Sequence, residues 1–123
     1  MERVVPKEWG EEHWIVNRGY CGKKLILRRG FRCSLHLHPV KDETFHVDRG
    51  AVFLELAGEG HVLRAGDTRH IPTGTPHRFT GLEESVILEF STHHDDDDVV
   101  RMEPSGAVPT ALFLDLRRRA GLA

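Results

Sequence analysis

The feature of this sequence that most constrains its fold is a series of short apolar or alternating runs with Gly or Pro between them. They recur at the spacing of roughly 8–12 residues that is typical of an antiparallel sandwich or barrel. The runs predict strands at 13–17, 24–28, 33–38, 44–47, 52–56, 61–63, 68–71, 77–80 and 85–90. No helical period appears before the last part of the chain, so we predict an all-β fold.

Several of these runs are apolar on both faces. Val52–Leu56 and Val86–Leu88 have apolar residues at both parities, which a sheet exposed to water on one side does not show. A barrel interior covers one face, and a second copy of the chain or a folded-back segment usually covers the other. We therefore expect a homodimer, with Trp9–Trp14 as a candidate for part of that cover.

The length of 123 residues predicts one domain with a single core. We place this domain at 1–104 and a tail at 105–123. In the tail, Thr110 is expected to cap a short helix that ends near Gly121.

The charge pattern excludes several kinds of partner. The net charge is −2 and no basic stripe is present, so nucleic-acid binding is not expected. No apolar run is long enough to cross a bilayer, and Met1–Glu8 has no apolar signal core. We expect a cytoplasmic protein without a membrane partner, in which Cys21 and Cys33 remain thiols.

Residues 30–50 contain a candidate metal site. His36 and His38 alternate along one predicted strand, so their side chains point to the same side. A turn that begins at Pro39 can bring Glu43 back beside them. A fourth ligand is available in residues 66–77, where a turn rich in Pro and Gly precedes His77.

Three imidazoles and a carboxylate indicate a divalent transition metal, because these donors suit zinc, iron, nickel and manganese alike. With four protein ligands, an octahedral ion keeps two positions open. The donor set itself does not choose among the metals.

Both segments resemble the paired motifs of the cupin superfamily, Gly-x5-His-x-His-x4-Glu-x6-Gly and Gly-x5-Pro-x-Gly-x2-His-x3-Asn. Gly30, His36, His38, Glu43 and Gly50 fill the first motif, and Gly66, Pro72, Gly74 and His77 fill the second. The final Asn of the second motif is Gly81 here, a departure that concerns turn geometry and not the ligands. The resemblance implies a cupin antiparallel β-barrel of the jelly-roll type, to which the predicted tail adds a short C-terminal helix.

A narrower resemblance suggests the chemistry. Lys41 between the ligands gives the pattern His-x-His-x-x-Lys-x-Glu, which is similar to cupin-type D-lyxose isomerases. The segment from Glu89 to Arg101 resembles those isomerases and also cupin-type mannose-6-phosphate isomerases, and the segment from Lys7 to Glu12 resembles the latter. The resemblance implies an aldose–ketose isomerase that acts on a free sugar such as D-lyxose or D-mannose, with Mn²⁺ as the usual metal.

Known carbonyl chemistry is consistent with this hypothesis. An open-chain aldose can offer O1 and O2 to the two open metal positions, and the metal acidifies the C2 proton. By resemblance, Glu89 is the base that moves this proton from C2 to C1 through a cis-enediol, with Lys41 as its cationic partner. Glu55 is a weaker candidate for the base.

Substrate contacts are predicted at Arg78, His94 and Asp97. A phosphorylated sugar would need cations at the rim, and Arg28, Arg32 and Arg69 are further possible donors. Because carboxylates at Asp95–Asp98 would repel a phosphate if they line the entrance, an uncharged sugar is preferred.

Other functions fit the same ligands. A sugar-phosphate isomerase, a non-haem iron dioxygenase and a non-catalytic cupin that binds a small molecule remain alternatives.

Overall fold

The computed structural model describes residues 2–123, so only Met1 lies outside it. It confirms the predicted all-β fold with a short C-terminal helix. The elements are β1 (Arg3–Lys7), β2 (Gly10–Asn17), β3 (Tyr20–Leu27), β4 (Phe31–Arg32), β5 (Leu35–Leu37), β6 (Glu43–Arg49), β7 (Ala51–Leu56), β8 (Glu59–Arg64), β9 (Thr68–Ile71), β10 (His77–Gly81), β11 (Ser85–Thr92), β12 (Val100–Glu103), β13 (Gly106–Ala107) and α1 (Thr110–Arg119). No helix within residues 2–123 is long and apolar enough to cross a membrane.

The strands form two antiparallel sheets that enclose the core. One sheet has the order β1-β2-β3-β11-β6-β9, and the other has the order β12-β5-β10-β4-β13, with β7 pairing with β10 and β8. Several neighbours in these orders are distant in the chain, as in β3 beside β11 and β5 beside β10. This topology brings the two histidine-containing segments onto adjacent strands.

Strands occur in all nine of the predicted runs, but four strands were missed. β1 and β12 are the edge strands at one end of each sheet, and most of their residues are exposed. β4 and β13 have two residues each and pair with one another. The sequences of exposed edge strands and of two-residue strands show little apolar alternation, because few of their side chains are buried. β13 also lies just beyond residue 104, where we placed the end of the barrel domain.

The expectation that Trp9–Trp14 covers an outer face is wrong, since both tryptophans point inward and are buried. Trp9 packs edge-on against Phe79 with ring centroids 5.1 Å apart. Trp14 pairs with Lys23 of β3 on the inner face of the six-stranded sheet. The period-2 pattern identified the strand but did not indicate which of its faces is buried.

The tail packs against the barrel. Leu116 of α1 and Ala120 at the C-cap position join a second apolar cluster with Phe53 and Leu82. Thr110 does not cap the helix: it is the first helical residue, and the N-cap position is Pro109, which forms no side-chain cap bond. The Arg117 guanidinium donates to the Leu82 carbonyl and to Glu83, so part of the basic run anchors the helix to the turn after β10.

Two motif glycines are explained by close backbone contacts. Gly50 has φ of 94°, and a Cβ there would lie 2.5 Å from the Glu84 carbonyl oxygen. Gly81 occupies the position where the motif has Asn, and a Cβ there would lie 2.6 Å from the Arg28 carbonyl oxygen. The departure at Gly81 therefore lets the chain after β3 approach β10 closely.

Candidate metal centre

The four predicted ligands meet at one place inside the barrel. His36 on β5 lies directly opposite His77 on β10, so both imidazoles project from the same face. His38 follows β5 by one residue, and Glu43 begins β6. Ring nitrogens of the three histidines all lie within 4.8 Å of one another. Glu43 Oε2 lies 3.2 Å from His38 Nε2 and 3.4 Å from His77 Nε2.

Each of the three imidazoles is oriented by a hydrogen bond at Nδ1, the nitrogen that is not directed at the metal site. Nδ1 of His36 donates to the Ser34 carbonyl at 2.7 Å, Nδ1 of His38 to the Asp98 carbonyl at 2.7 Å, and Nδ1 of His77 to the Thr75 carbonyl at 2.9 Å. Since a carbonyl oxygen only accepts, each Nδ1 carries the hydrogen and each Nε2 offers a lone pair. A hydrogen bond of this kind is typical of histidines that bind metals.

A cation is the group that fits among these lone pairs. Glu43 Oε2 and His77 Nε2 are buried and have no hydrogen-bond partner among the described residues. A bare nitrogen that faces a carboxylate oxygen at 3.4 Å costs free energy unless something positive lies between them. Ligands bonded at about 2.0–2.2 Å on neighbouring positions of a divalent ion lie roughly 3 Å apart, close to the observed spacings. The residues therefore fit a divalent metal.

The protonation of the histidines agrees with this assignment. Burial, and secondarily the neighbouring His77, lowers the pKa of His36 to about 3. Burial also lowers the pKa of His38, followed by the charge of Lys41. The short contact between His38 and Glu43 is therefore not an ion pair. His36 and His38 are neutral at pH 7 and need lose no proton to bind a metal.

Asp98 is not a ligand, but it holds in place the turn between His38 and Glu43, here called the ligand turn. Its carboxylate accepts the backbone N–H groups of Val40 at 2.9 Å and Lys41 at 2.8 Å, and its backbone carbonyl accepts from His38 Nδ1. The turn between His38 and Glu43 is thereby fixed by a residue about sixty positions later in the chain. Sequence reasoning missed this role, because a run of four aspartates is usually a solvated loop.

Replacing Asp98 by Asn is expected to weaken metal binding about 10- to 100-fold, since losses of this size follow when the groups that orient metal ligands are removed. The Asn NH₂ group would face a backbone N–H donor, so one of the two bonds is lost. Metal affinity is measured by titration against a competing chelator. Asp97→Asn, on the exposed neighbour, is the control and should leave affinity unchanged; equal losses in both variants would contradict the role of Asp98.

Glu89 and Lys41 form a buried ion pair beside the metal centre. Lys41 Nζ lies 3.2 Å from Glu89 Oε2 and 4.0 Å from Glu43 Oε1, and the two side chains of the pair are 3% and 6% exposed. Burial opposes the charge of each group, but their attraction prevails. The pKa of Lys41 is raised by Glu89 and Glu43, and the pKa of Glu89 is lowered by Lys41 and Lys23.

A cavity of about 370 Å³ opens onto this centre. Its lining includes His36, Glu43, Glu89 and His94, so two of the four predicted ligands and the predicted base line the same cavity. Lys41 does not line the cavity and lies behind Glu89. Its position therefore supports a role in holding the base more than direct contact with a substrate.

His94 lines the cavity beside Glu89 and contacts Lys41. Its Nδ1 is 3.2 Å from Lys41 Nζ, its Nε2 is 2.9 Å from Asp96 Oδ1, and its ring packs edge-on against Trp14. The side-chain amide of Asn17 bonds both the N–H and the carbonyl of His94. Burial lowers the pKa of His94, and Lys23 and Lys41 lower it further.

Two of the predicted substrate contacts are not at the cavity. Arg78 is buried, and its guanidinium donates to the Cys33 carbonyl, to Glu103 and to the Pro104 carbonyl. The structure thus gives Arg78 a role in joining β10 to the segment after β12. Asp97 is exposed and does not line the cavity, whereas its neighbour Asp96 does. Neighbouring aspartates of this loop point in different directions, and residue spacing alone does not predict which of them faces the cavity.

The remaining candidates also lie away from the cavity lining. These are Glu55, Arg28, Arg32 and Arg69. Cys33 does line the cavity, but burial raises the pKa of its thiol to about 12, and its sulfur accepts the Phe79 N–H. It is therefore not a nucleophile at neutral pH, and both cysteines are free thiols.

Comparison with known proteins agrees with this arrangement. A family model described as "Cupin domain" matches residues 24–91, more than half of the chain. A solved structure of KdgF from Halomonas sp. superposes with a TM-score of 0.66 at 26% identity, over 71% of this chain and 81% of that one.

Curated relatives include sugar isomerases. A D-lyxose ketol-isomerase from Cohnella laeviribosi is 35% identical over 83% of this chain and 72% of its own length. A D-lyxose/D-mannose isomerase from Thermosediminibacter oceani is 31% identical over 69% of this chain, and the match spans 62% of that protein. Other relatives have names that do not refer to isomerases.

Proposed function

This chain belongs to the cupin family, and from that premise we propose that it is a metal-dependent aldose–ketose isomerase of a small sugar. Relatives named D-lyxose isomerases support a sugar isomerase within the family. The observation that carries the proposal is the ionised, buried carboxylate of Glu89, which lines the same cavity as His36 and Glu43. D-Lyxose and D-mannose are the first sugars to test.

His36, His38, Glu43 and His77 would hold the metal, and Mn²⁺ is our first choice among the divalent ions that suit this donor set. When bound, such an ion acts as a Lewis acid that polarises the carbonyl of the open-chain sugar and acidifies its C2 proton. The chain must then supply a base close to C1 and C2, a means of keeping that base ionised, and an environment that excludes water.

Glu89 supplies the base. Its Oε2 accepts a hydrogen bond from Lys41 Nζ at 3.2 Å, which fixes the carboxylate on the cavity wall. One carboxylate placed between C1 and C2 can take the proton from C2 and return it to C1. Lys41 keeps Glu89 ionised at neutral pH and orients it, so we assign Lys41 as a positioning residue.

His94 is our candidate for proton exchange with a sugar hydroxyl. Its ring lines the cavity, and Asp96, Trp14 and the Asn17 amide hold it in place. Because its pKa is lowered, the ring is neutral at pH 7 and can both accept and donate a proton.

We also propose that the protein is a cytoplasmic homodimer. Exposed apolar side chains on the strands of the six-stranded sheet, Ile15 and Phe90 among them, support a partner surface. A second copy fits this surface best, since the chain has no basic stripe that would favour nucleic acid.

Incubating the Mn²⁺-loaded protein with D-lyxose or D-mannose in deuterated water should yield the ketose with deuterium at C1. Exchange is expected because the proton that Glu89 takes from C2 can exchange with solvent during the lifetime of the cis-enediol, before C1 is protonated. The products are followed by NMR. If metal occupancy is verified and no aldose yields a ketose, the isomerase proposal fails; ketose without deuterium would replace proton transfer by a hydride shift.

A further inference from the structure

Two arginines at the opening of the cavity are not used by the mechanism above. Arg3 on β1 and Arg101 on β12 both line the cavity and are exposed. Within residues 2–123, neither guanidinium has a carboxylate within 4.0 Å, whereas the neighbouring Lys7 lies 3.9 Å from Glu12. β1 and β12 are the edge strands of the two sheets, so each sheet contributes one of these cations.

Strand register places both arginines on the inner faces. Arg101 lies directly opposite His36, so its side chain projects on the same face as that ligand. Arg3 lies opposite Trp14, and its guanidinium packs over the Trp14 ring at 4.3 Å from the centroid. The row continues from Trp14 to Lys23 and then to Glu89. Side chains of one row thus lead from the base to the cavity opening.

The length of this row suits the far end of a sugar. Trp14 lies two strands from Glu89, which is about 10 Å at the usual strand spacing. That separation is comparable to an extended six-carbon sugar with a terminal phosphate. A substrate whose carbonyl end lies at the metal centre would therefore place its other end near the guanidinium that covers Trp14.

The acidic loop does not oppose an anion there. The Asp98 carboxylate is bonded to backbone N–H groups of the ligand turn, and Asp96 is bonded to His94. The Asp95 carboxylate accepts a hydrogen bond from the backbone N–H of Asp97. Asp95 and Asp97 do not line the cavity. Of the four aspartates, Asp96 is therefore the one whose charge could repel an anion in the cavity. Besides its bond to His94, Asp96 lies close enough to Arg3 for the guanidinium to stabilise its charged form.

We propose that Arg3 and Arg101 form a subsite for an anionic group at the end of the substrate remote from the carbonyl, either a phosphate or a carboxylate. This inference rests on the proposed function and extends it to the substrate class. Guanidinium groups are well suited to both anions, because their planar N–H donors match two oxygens at once.

Binding is tested with compounds that have no carbonyl and cannot react. An alditol, its terminal phosphate and the corresponding terminal carboxylic acid are titrated into the metal-loaded protein by calorimetry. At least one anionic compound is expected to bind about 10- to 100-fold more tightly than the neutral alditol. The preferred anion then identifies the substrate as a sugar phosphate or a sugar acid.

Variants assign the effect to the two arginines. Arg3→Met and Arg101→Met should each reduce the preference for the anionic compound at least tenfold. Arg118→Met, an exposed arginine on α1 away from the cavity, should retain that preference. A variant that fails to fold is replaced by the corresponding lysine substitution, which should keep part of the preference because the charge remains.

The outcomes separate this inference from the isomerase proposal. Equal affinity for the alditol and both anions would overturn the subsite, as would an equal loss in Arg118→Met. A preference for the anion that is lost in the Arg3 and Arg101 variants supports the subsite, even if no sugar is isomerised. In that case the isomerase proposal alone would fail.

Discussion

Replacing Glu89 by Gln is expected to lower kcat by two to four orders of magnitude, the usual contribution of a positioned general base. The amide has the same shape as the carboxylate and keeps an oxygen that accepts from Lys41 Nζ, so the local structure should persist. The loss should appear in kcat more than in KM, because the base acts on the proton in transit and not on substrate binding. Steady-state kinetics with the best sugar measure it.

Metal content provides the necessary check on this variant. Glu89 is not among the ligands, so Glu89→Gln should retain the wild-type metal stoichiometry, measured by elemental analysis. Glu55→Gln is the matched control, since Glu55 lies outside the cavity lining and was the weaker candidate for the base. If Glu89→Gln retains more than a tenth of the wild-type kcat, another group moves the proton and Glu89 is structural.

The ligand set was accessible from sequence for a physical reason. His36, His38 and Glu43 lie within eight consecutive positions, and strand alternation alone places the two histidines on one face. His77 was named as an available fourth ligand from the turn that precedes it, but strand alternation could not show that it meets the others, because its partner strand β5 lies about forty residues earlier. Local periodicity does not indicate which distant strands pair.

The base could be named by resemblance, but its orientation could not be derived from the pattern. Along β11 the residues of one parity are Ile87, Glu89 and Ser91, and those of the other are Val86, Leu88 and Phe90. Both sets contain apolar residues, so alternation did not decide which set faces the core. Pairing of Glu89 with Lys23 on one side and Phe45 on the other settles that it is buried.

The largest omissions concern polar residues whose roles depend on tertiary contacts. Asp98 binds the ligand turn, Lys23 contributes a buried cation near Glu89, and Arg3 reaches the cavity from an edge strand. Arg78 shows the opposite error, since an arginine beside a ligand in sequence turned away to bind carbonyl groups. Because adjacent residues of a strand point to opposite faces, the position of Arg78 next to His77 in sequence did not place it at the metal centre.

Lys41→Met is expected to lower the free energy of unfolding by about 3 kcal/mol, because it leaves buried carboxylates without their cation. Glu89 and Glu43 are 5% and 2% exposed, so water cannot replace the ammonium group. Denaturant unfolding of the metal-free protein measures the change. Lys24→Met on β3 is the matched control: this lysine is only partly buried and should change stability by less than about 0.5 kcal/mol.

The double variant Lys41→Met with Glu89→Gln distinguishes loss of charge balance from loss of packing. Removing both charges should leave the protein more stable than Lys41→Met alone, since no unpaired carboxylate remains at position 89. Equal or greater destabilisation in the double variant would show that the lysine stabilises through its alkyl chain and not its charge.

The pH profile gives an independent measure of the positioning role of Lys41. In the wild type, Lys41 helps hold the pKa of Glu89 below its ordinary value and also lowers the pKa of His94. Without the Lys41 cation, the pKa values of Glu89 and His94 both rise. Glu89 is then protonated, and lost as a base, at a higher pH than in the wild type. The acidic limb of kcat/KM should therefore move to higher pH in Lys41→Met, while Lys24→Met leaves it in place. An unshifted limb, with kcat merely reduced, would mean that Lys41 does not control the ionisation of Glu89.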